Sequence, residues 1–343
     1  MKRIAVVVVS FFISLLLTAQ AKPFYTQYIL NNYILNPAVT GIENYTDAKL
    51  SHRNQWVGID GAPVTTYFSI HGALNKTDYK TTATSFEVPG ENPRGKQYLE
   101  DYTAPKAHHG VGFTAINDKS GYLNRWAVYG SYAYHQPLGP KTTLSAGINA
   151  GFSSVNMDKT KIDFADLDPN DPAIGYNNGD LKLLKPELGV GLWFYGAHYF
   201  VGLSVLNIIP GKSSFVTSTK YSASFKPNYF ITAGYRFALN DELSALPSVM
   251  VQLWQPQLYG LHTNIKLQYL DKFWIGASYR LSDLVGGFGA MAGLNISNTF
   301  NIGYVYEAAA NSRLNNYTKN THELMLGFLI GNKYGSTCPR NVW

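Results

Sequence analysis

Few residues in this chain have the types and spacing that chemistry needs. His108 and His109 are adjacent, but neighbours on a strand point apart, and no carboxylate stands at ligand spacing, so a shared metal is not expected there. The stretch "DFADLDPNDPAIGYNNGD" gathers Asp163, Asp166, Asp168 and Asp171 between prolines. Oxygen-rich loops of this kind hold calcium, but the glycine and closing glutamate of an EF-hand loop are missing. A solvated loop is the simpler reading, with calcium the alternative, and no other cofactor is expected. Ser51-His52 and Ser69-Ile70-His71 resemble nucleophile–base pairs only superficially. There is no Gly-x-Ser-x-Gly elbow, and a non-enzymatic protein is expected. Cys338 is the only cysteine, so no internal disulfide forms. It is an inert thiol, a partner in an intermolecular disulfide, or part of a docking tail, "NKYGSTCPRNVW", that ends on Trp343.

The remaining candidates are charges in apolar surroundings. Arg53, Glu187, Arg236, Lys266, Arg280, Glu307 and Glu323 fall on the polar faces of alternating segments. Inside a narrow barrel such charges pair and fill the lumen, because unpaired buried charge is costly; a solute-lining role is the alternative.

These residues require a wall to position them. The first residues, "MKRIAVVVVSFFISLLLTAQA", have a basic start, an apolar run and a small-x-small end, which predicts a signal peptide over 1–21. Export is expected. The formal charge of +6 falls by two once Lys2 and Arg3 leave, too mild and scattered for nucleic acid. Charged residues are 15% and aromatics 14%, where soluble domains carry about a quarter charged residues. Much of the surface is therefore expected to face something other than water.

No mature segment is apolar enough for a helical span. Segments of about ten residues alternate instead, the pattern of an outer-membrane barrel. In "TLSAGINAGF", Leu144, Ala146, Ile148, Ala150 and Phe152 oppose Ser145, Gly147, Asn149 and Gly151. "LHTNIKLQY" sets Leu261, Ile265, Leu267 and Tyr269 against His262, Asn264, Lys266 and Gln268. The reading is a transmembrane antiparallel β-barrel of about 14 strands over 45–331. The strands are expected near 45–56, 65–74, 108–117, 123–138, 142–156, 186–196, 198–208, 226–239, 243–255, 259–270, 272–281, 283–296, 299–309 and 321–331.

Tight connections at "LGPK", "YGAH", "ALND", "YLDK" and "ISNT" all follow even strands, so they share one rim, and both termini are expected in the periplasm. The odd connections are expected to be longer. Trp126, Tyr134, Trp193, Tyr195, Tyr199, Trp254, Tyr259, Tyr269 and Trp274 are expected in an interfacial girdle facing outer-membrane lipid. Residues 75–107 form one long periplasmic connection, read as a lid or plug or as a docking surface. A periplasmic tail follows over 332–343.

Between signal and barrel lies 22–44, including "FYTQYILNNYILNPAVTGIENY". Its tyrosines bury area and its amides satisfy backbone groups, so it is read as a plug in the lumen or a recognition strand. This block resembles the start of the PorP/SprF family of Bacteroidetes outer-membrane proteins. The likeness rests on Phe24, Thr26, Gln27, Tyr28, Asn31 or Asn32, Leu35, Asn36, Pro37, Ala38 and Gly41. Arg53, Gln55, Trp56, Ala62-Pro63, Thr65 and Ser69, and the closing Cys-Pro, are also similar to the family. Lys22-Pro23 replaces the family's usual Gln-Asp-Pro, and 75–107 is longer than its second turn.

The resemblance implies a component of the type IX secretion or gliding-motility system, working with periplasmic and outer-membrane partners. It further implies support for export and surface anchoring of a large surface protein, an adhesin, with a C-terminal sorting domain. Phe24, Tyr25, Gln27, Tyr28, Asn31, Asn36 and Pro37 are the candidate plug or partner-binding residues. The alternative function is a channel or transporter for small hydrophobic or polar solutes.

Overall fold

The computed structural model describes residues 28–76, 102–157, 181–209, 211–212, 224–225, 227–240, 242–255, 258–270, 272–282, 286–297, 299–309 and 317–332. The signal peptide, Phe24, Tyr25, Gln27, the aspartates of 163–171, most of 75–107 and Cys338 lie outside the described residues.

Fourteen strands make the wall. They are β1 (Thr46–Asn54), β2 (Val64–Leu74), β3 (His108–Ser120), β4 (Leu123–Gly139), β5 (Thr142–Met157), β6 (Leu181–Tyr195) and β7 (Tyr199–Leu206). The second half is β8 (Asn228–Tyr235, continued by Phe237–Ala238), β9 (Leu243–Gln255), β10 (Leu258–Tyr269), β11 (Phe273–Ser282), β12 (Gly287–Ser297), β13 (Phe300–Ala309) and β14 (Thr321–Ile330). Each pairs antiparallel with its neighbours in the chain, and β14 pairs with β1, so the sheet closes and keeps no free edge. A two-rung ladder, Gly211–Lys212 with Ser224–Phe225, stands apart from it.

The wall is apolar outside and polar inside. Phe288 is 59% exposed, Phe152 57% and Ile275 53%, whereas Lys266 is 1% exposed and Arg53 2%. That inversion suits a lipid solvent, in which backbone groups must pair around a closed ring. One row of paired residues runs from Leu184 on β6 through Trp126, His52, Leu324 and Ile275 to Phe237 on β8. It begins near one rim and ends at the other, so the strands tilt steeply against the barrel axis.

At one rim the connections after β4, β6, β8, β10 and β12 are all short, with 75–107 the exception. The opposite rim is mixed, which corrects the expectation of uniformly long odd connections. The stretches 55–63, 158–180, 207–227 and 310–320 are long, but 121–122, 256–257 and 283–286 are tight. The reason is continued pairing. β3 and β4 keep their ladder to Ser120 and Leu123, and β9–β10 absorbs a bulge at Leu253/Gln255 and continues to Leu258.

The aromatic girdle also needs correction. Trp126, Tyr134 and Tyr259 are exposed outside, but Trp193, Tyr195 and Trp274 are buried. Trp193 and Tyr195 share the inward parity of Glu187, Gly189 and Gly191, and Trp274 that of Arg280. They line the lumen.

Candidate functional site

What those aromatics meet is the chain's own start. Residues 28–42 lie inside the barrel as three short 3₁₀ turns, Tyr28–Leu30, Asn32–Ile34 and Pro37–Val39. Pro37 blocks a helix from continuing through Asn36, whose extended backbone opens the third turn. The Asn36 Oδ1 accepts from the Ala38 N–H at 3.0 Å, an N-cap. Its Nδ2 donates to the Leu192 and Leu203 carbonyls at 3.0 and 3.1 Å, binding the segment to the paired backbones of β6 and β7.

The segment reaches the wall on many sides. Tyr28 and Ser248 on β9 lie 3.1 Å apart through their hydroxyls, and Asn31 Nδ2 donates to Ser69 on β2 at 3.1 Å. The Tyr33 hydroxyl meets Ser131 on β4 at 2.7 Å. Ser145 on β5 donates to the Ala38 carbonyl at 2.7 Å, and Ser204 on β7 to the Leu35 carbonyl at 2.6 Å. Burial pushes the Tyr28 hydroxyl up to about 12, with the Ser248 contact working against it.

Three histidines hold the Thr40–Gly41 link. His135 Nε2 donates to the Thr40 carbonyl at 2.8 Å, and His108 Nε2 faces the Gly41 carbonyl at 3.3 Å. The Gly41 N–H donates to His71 Nδ1 at 3.1 Å, so that nitrogen carries no proton. His108 stacks on His135 with centroids 4.4 Å apart, while His109 points outward to the Tyr132 hydroxyl at 2.6 Å. Gly41 has φ +74, a left-handed conformation that suits glycine.

Glycines on the wall make the seat. A Cβ on Gly110 would stand 2.0 Å from the Thr40 oxygen, on Gly147 2.4 Å from the Pro37 oxygen, and on Gly191 2.0 Å from Asn36 Oδ1. Apolar contacts complete it. Tyr28, Ile29, Leu30, Leu35, Val39 and Ile42 share one buried cluster with Trp193, Phe230, Leu246, Met250, Trp274 and Met325 of the wall. Burying each large apolar side chain contributes about 1.5–3 kcal/mol.

All seven candidate charges lie buried on the lumen face. Arg53 reaches Glu323 at 3.3 Å and Glu307 at 3.5 Å, Arg280 bonds Glu307, and Ser51 donates to Glu323 at 3.2 Å. Glu187 instead receives Arg125 at 3.2 Å, Lys185 at 3.2 Å, Ser153 at 2.6 Å and the Tyr129 hydroxyl. Arg236 donates to Ser244 at 3.1 Å. Sequence reasoning missed Arg125, Lys185, Asp47, Lys49, His135 and the glycine seat. Parity exposes Asp47 and Lys49, which share a face with Arg53, but nothing local marks which glycines a distant segment will press upon. Ser51, His52, Ser69 and His71 go to Glu323, Thr66, Asn31 and Gly41, so neither Ser/His pair is assembled.

Beyond the segment, towards the rim with the long connections, a vestibule of about 70 Å³ opens over Ile34 and Leu35, flanked by Arg125, Glu187, Phe230 and Gln252. Among the described residues the barrel is filled apart from small recesses beside the segment, and the ion pairs and hydroxyls named above hold structure.

The family model for the type IX secretion system membrane protein PorP/SprF matches residues 17–328. The chain belongs to the PorP/SprF family. This PorP/SprF protein is accordingly a membrane component of type IX secretion, set in the outer membrane and serving alongside other parts of that system. No curated protein matches the chain. Among solved structures, the Acinetobacter baumannii outer membrane protein Omp33 is similar at 10% identity and a TM-score of 0.47, covering 85% of this chain and 100% of its own. The Ralstonia pickettii toluene transporter TbuX stands at 11% and 0.47, covering 89% and 93%. A mutant Rh. blastica porin stands at 8% and 0.34, covering 83% and 98%. Overlaps this loose carry no argument about solutes or transport by the PorP/SprF chain.

Proposed function

We propose that this protein is a non-enzymatic scaffold of the type IX secretion or gliding apparatus. It supports export and surface anchoring of one large surface protein, an adhesin, through that protein's C-terminal sorting domain. The observation that carries this reading is the filled lumen: residues 28–42 contact β2, β4, β5, β6, β7 and β9 by hydrogen bonds, and a shared apolar cluster excludes water. A wall sealed in this way suits docking at its rims better than conduction through its axis. Both termini and 75–107 then face the periplasm, and the vestibule faces outward.

Two measurements test the proposal. Affinity purification from native envelopes should recover a large surface protein whose C-terminal sorting domain is needed for recovery. Planar bilayers with the purified barrel should show no large steady conductance. A barrel recovered alone, or a wide open pore, would count against the scaffold and favour a solute channel.

A further inference from the structure

A second, small cavity, of about 20 Å³, lies between the lumen segment and β1–β2. Its lining includes Asn31, Asn32, Glu43, Asp47, Lys49 and His71, all at least nine-tenths buried. The polar atoms here are not all engaged with one another. Asn31 uses its Nδ2 on Ser69 and leaves Oδ1 without a hydrogen bond. Asp47 turns one oxygen to Lys49, with His71 Nε2 3.8 Å away, and leaves Oδ1 without one. Asn32 is 5% exposed, and neither its oxygen nor its nitrogen finds a partner. Burying such groups unsatisfied costs about 1–3 kcal/mol each, so a site with several in one cavity calls for an occupant.

We propose that this cavity binds a hard cation of the calcium class through the side-chain oxygens of Asn31, Asn32 and Asp47, with Glu43 beside them and water completing the shell. Carboxylate and amide oxygens are the donors such ions take. On Asn31, Asn32 and Asp47 the unsatisfied acceptors outnumber the unsatisfied donors three to one, and the lining holds two carboxylates against one ammonium. Among the described residues no three His, Cys, Asp or Glu side chains gather as a metal cluster. The site therefore depends on amides, which predicts affinity in the weak, roughly millimolar range of extracellular calcium modules. Bound there, the ion would brace the lumen segment against β1.

Terbium(III) reads this directly, because Tyr33 and Tyr45 line the same cavity and sensitise its emission. Full-length protein in detergent should show tyrosine-sensitised emission that Ca²⁺ competes away, and Ca²⁺ should raise the thermal midpoint relative to EDTA. Asn32→Ala should weaken Tb³⁺ binding about tenfold, whereas Asn32→Asp, which adds ligand charge, should tighten it. A double variant Asp163→Asn/Asp166→Asn should leave the emission unchanged. Absence of emission at millimolar Tb³⁺ means the cavity holds ordered water only and overturns the proposal. Emission that survives Asn32→Ala but vanishes in the loop variant overturns it too.

Discussion

Gly147→Ala is the sharpest perturbation of the seated segment. A Cβ at this position would stand 2.4 Å from the Pro37 carbonyl oxygen and 2.5 Å from the Ala38 nitrogen, both backbone atoms. To reach ordinary contact the third turn must retreat by about 1 Å, since overpacked groups cannot be compressed. Three hydrogen bonds between this turn and the wall would then exceed bonding range: Ser145 to the Ala38 carbonyl at 2.7 Å, Asn36 to the Leu192 carbonyl at 3.0 Å, and Thr40 to Ser131 at 3.1 Å. At about 1 kcal/mol net each, the seated state loses about 3 kcal/mol. That corresponds to roughly a hundredfold rise in the unseated population. The control is Gly130→Ala, where an added Cβ meets nothing within 4 Å. In planar bilayers Gly147→Ala should show flickering openings absent from wild type and from Gly130→Ala. Equal silence from both variants, with Gly147→Ala folded by heat-modifiable gel mobility, would refute residues 28–42 as the seal.

Glu323→Gln leaves Arg53 short of one of its two buried carboxylates, and breaking such a pair should cost about 3–5 kcal/mol, read as a lower thermal midpoint. Arg53→Met/Glu323→Gln should lose less than Arg53→Met alone, because the second change removes a stranded charge. Tyr28 gives a pH signature: the unfolded chain releases its proton near 10 and the folded chain near about 12, so stability should fall as pH rises between them, at about 1.4 kcal/mol per unit. Tyr28→Phe should flatten that alkaline limb. A tag within 165–175 should be reached from outside intact cells and one within 85–95 should not; reversed labelling would sink the proposed orientation.

The wall was legible because lipid outside and polar groups inside impose strict alternation, which a single sequence displays. Leu144 to Phe152 needs no partner to declare its face. Connections were read less well, since continued pairing at Ser120 or Leu258 depends on the opposing strand and not on local turn residues. The inward tryptophans were misplaced for a related reason. Trp193 and Trp274 were assigned by residue type, although their parity set them beside Gly191 and Arg280. Part of the lumen face is apolar because another segment covers it, and no local pattern announces a cover that comes from 150 residues away. Asn36 marked a turn by its Pro37, yet its hold on Leu192 and Leu203 exists only once β6 and β7 stand together.

The Arg53–Glu323 pair crosses the place where β1 meets β14, the joint at which the two ends of the sheet find each other. Residues 28–42 immediately precede β1, and they touch strands from β2 through β9. A ring that shut first would have to admit this folded segment through its mouth, past the ion pairs around Glu307 and Glu187. The more direct order of assembly wraps the wall around the segment and joins β1 to β14 last. On that order the stopper serves as the mandrel on which the barrel is wound, and the ion pair at the joint is the clasp that records completion.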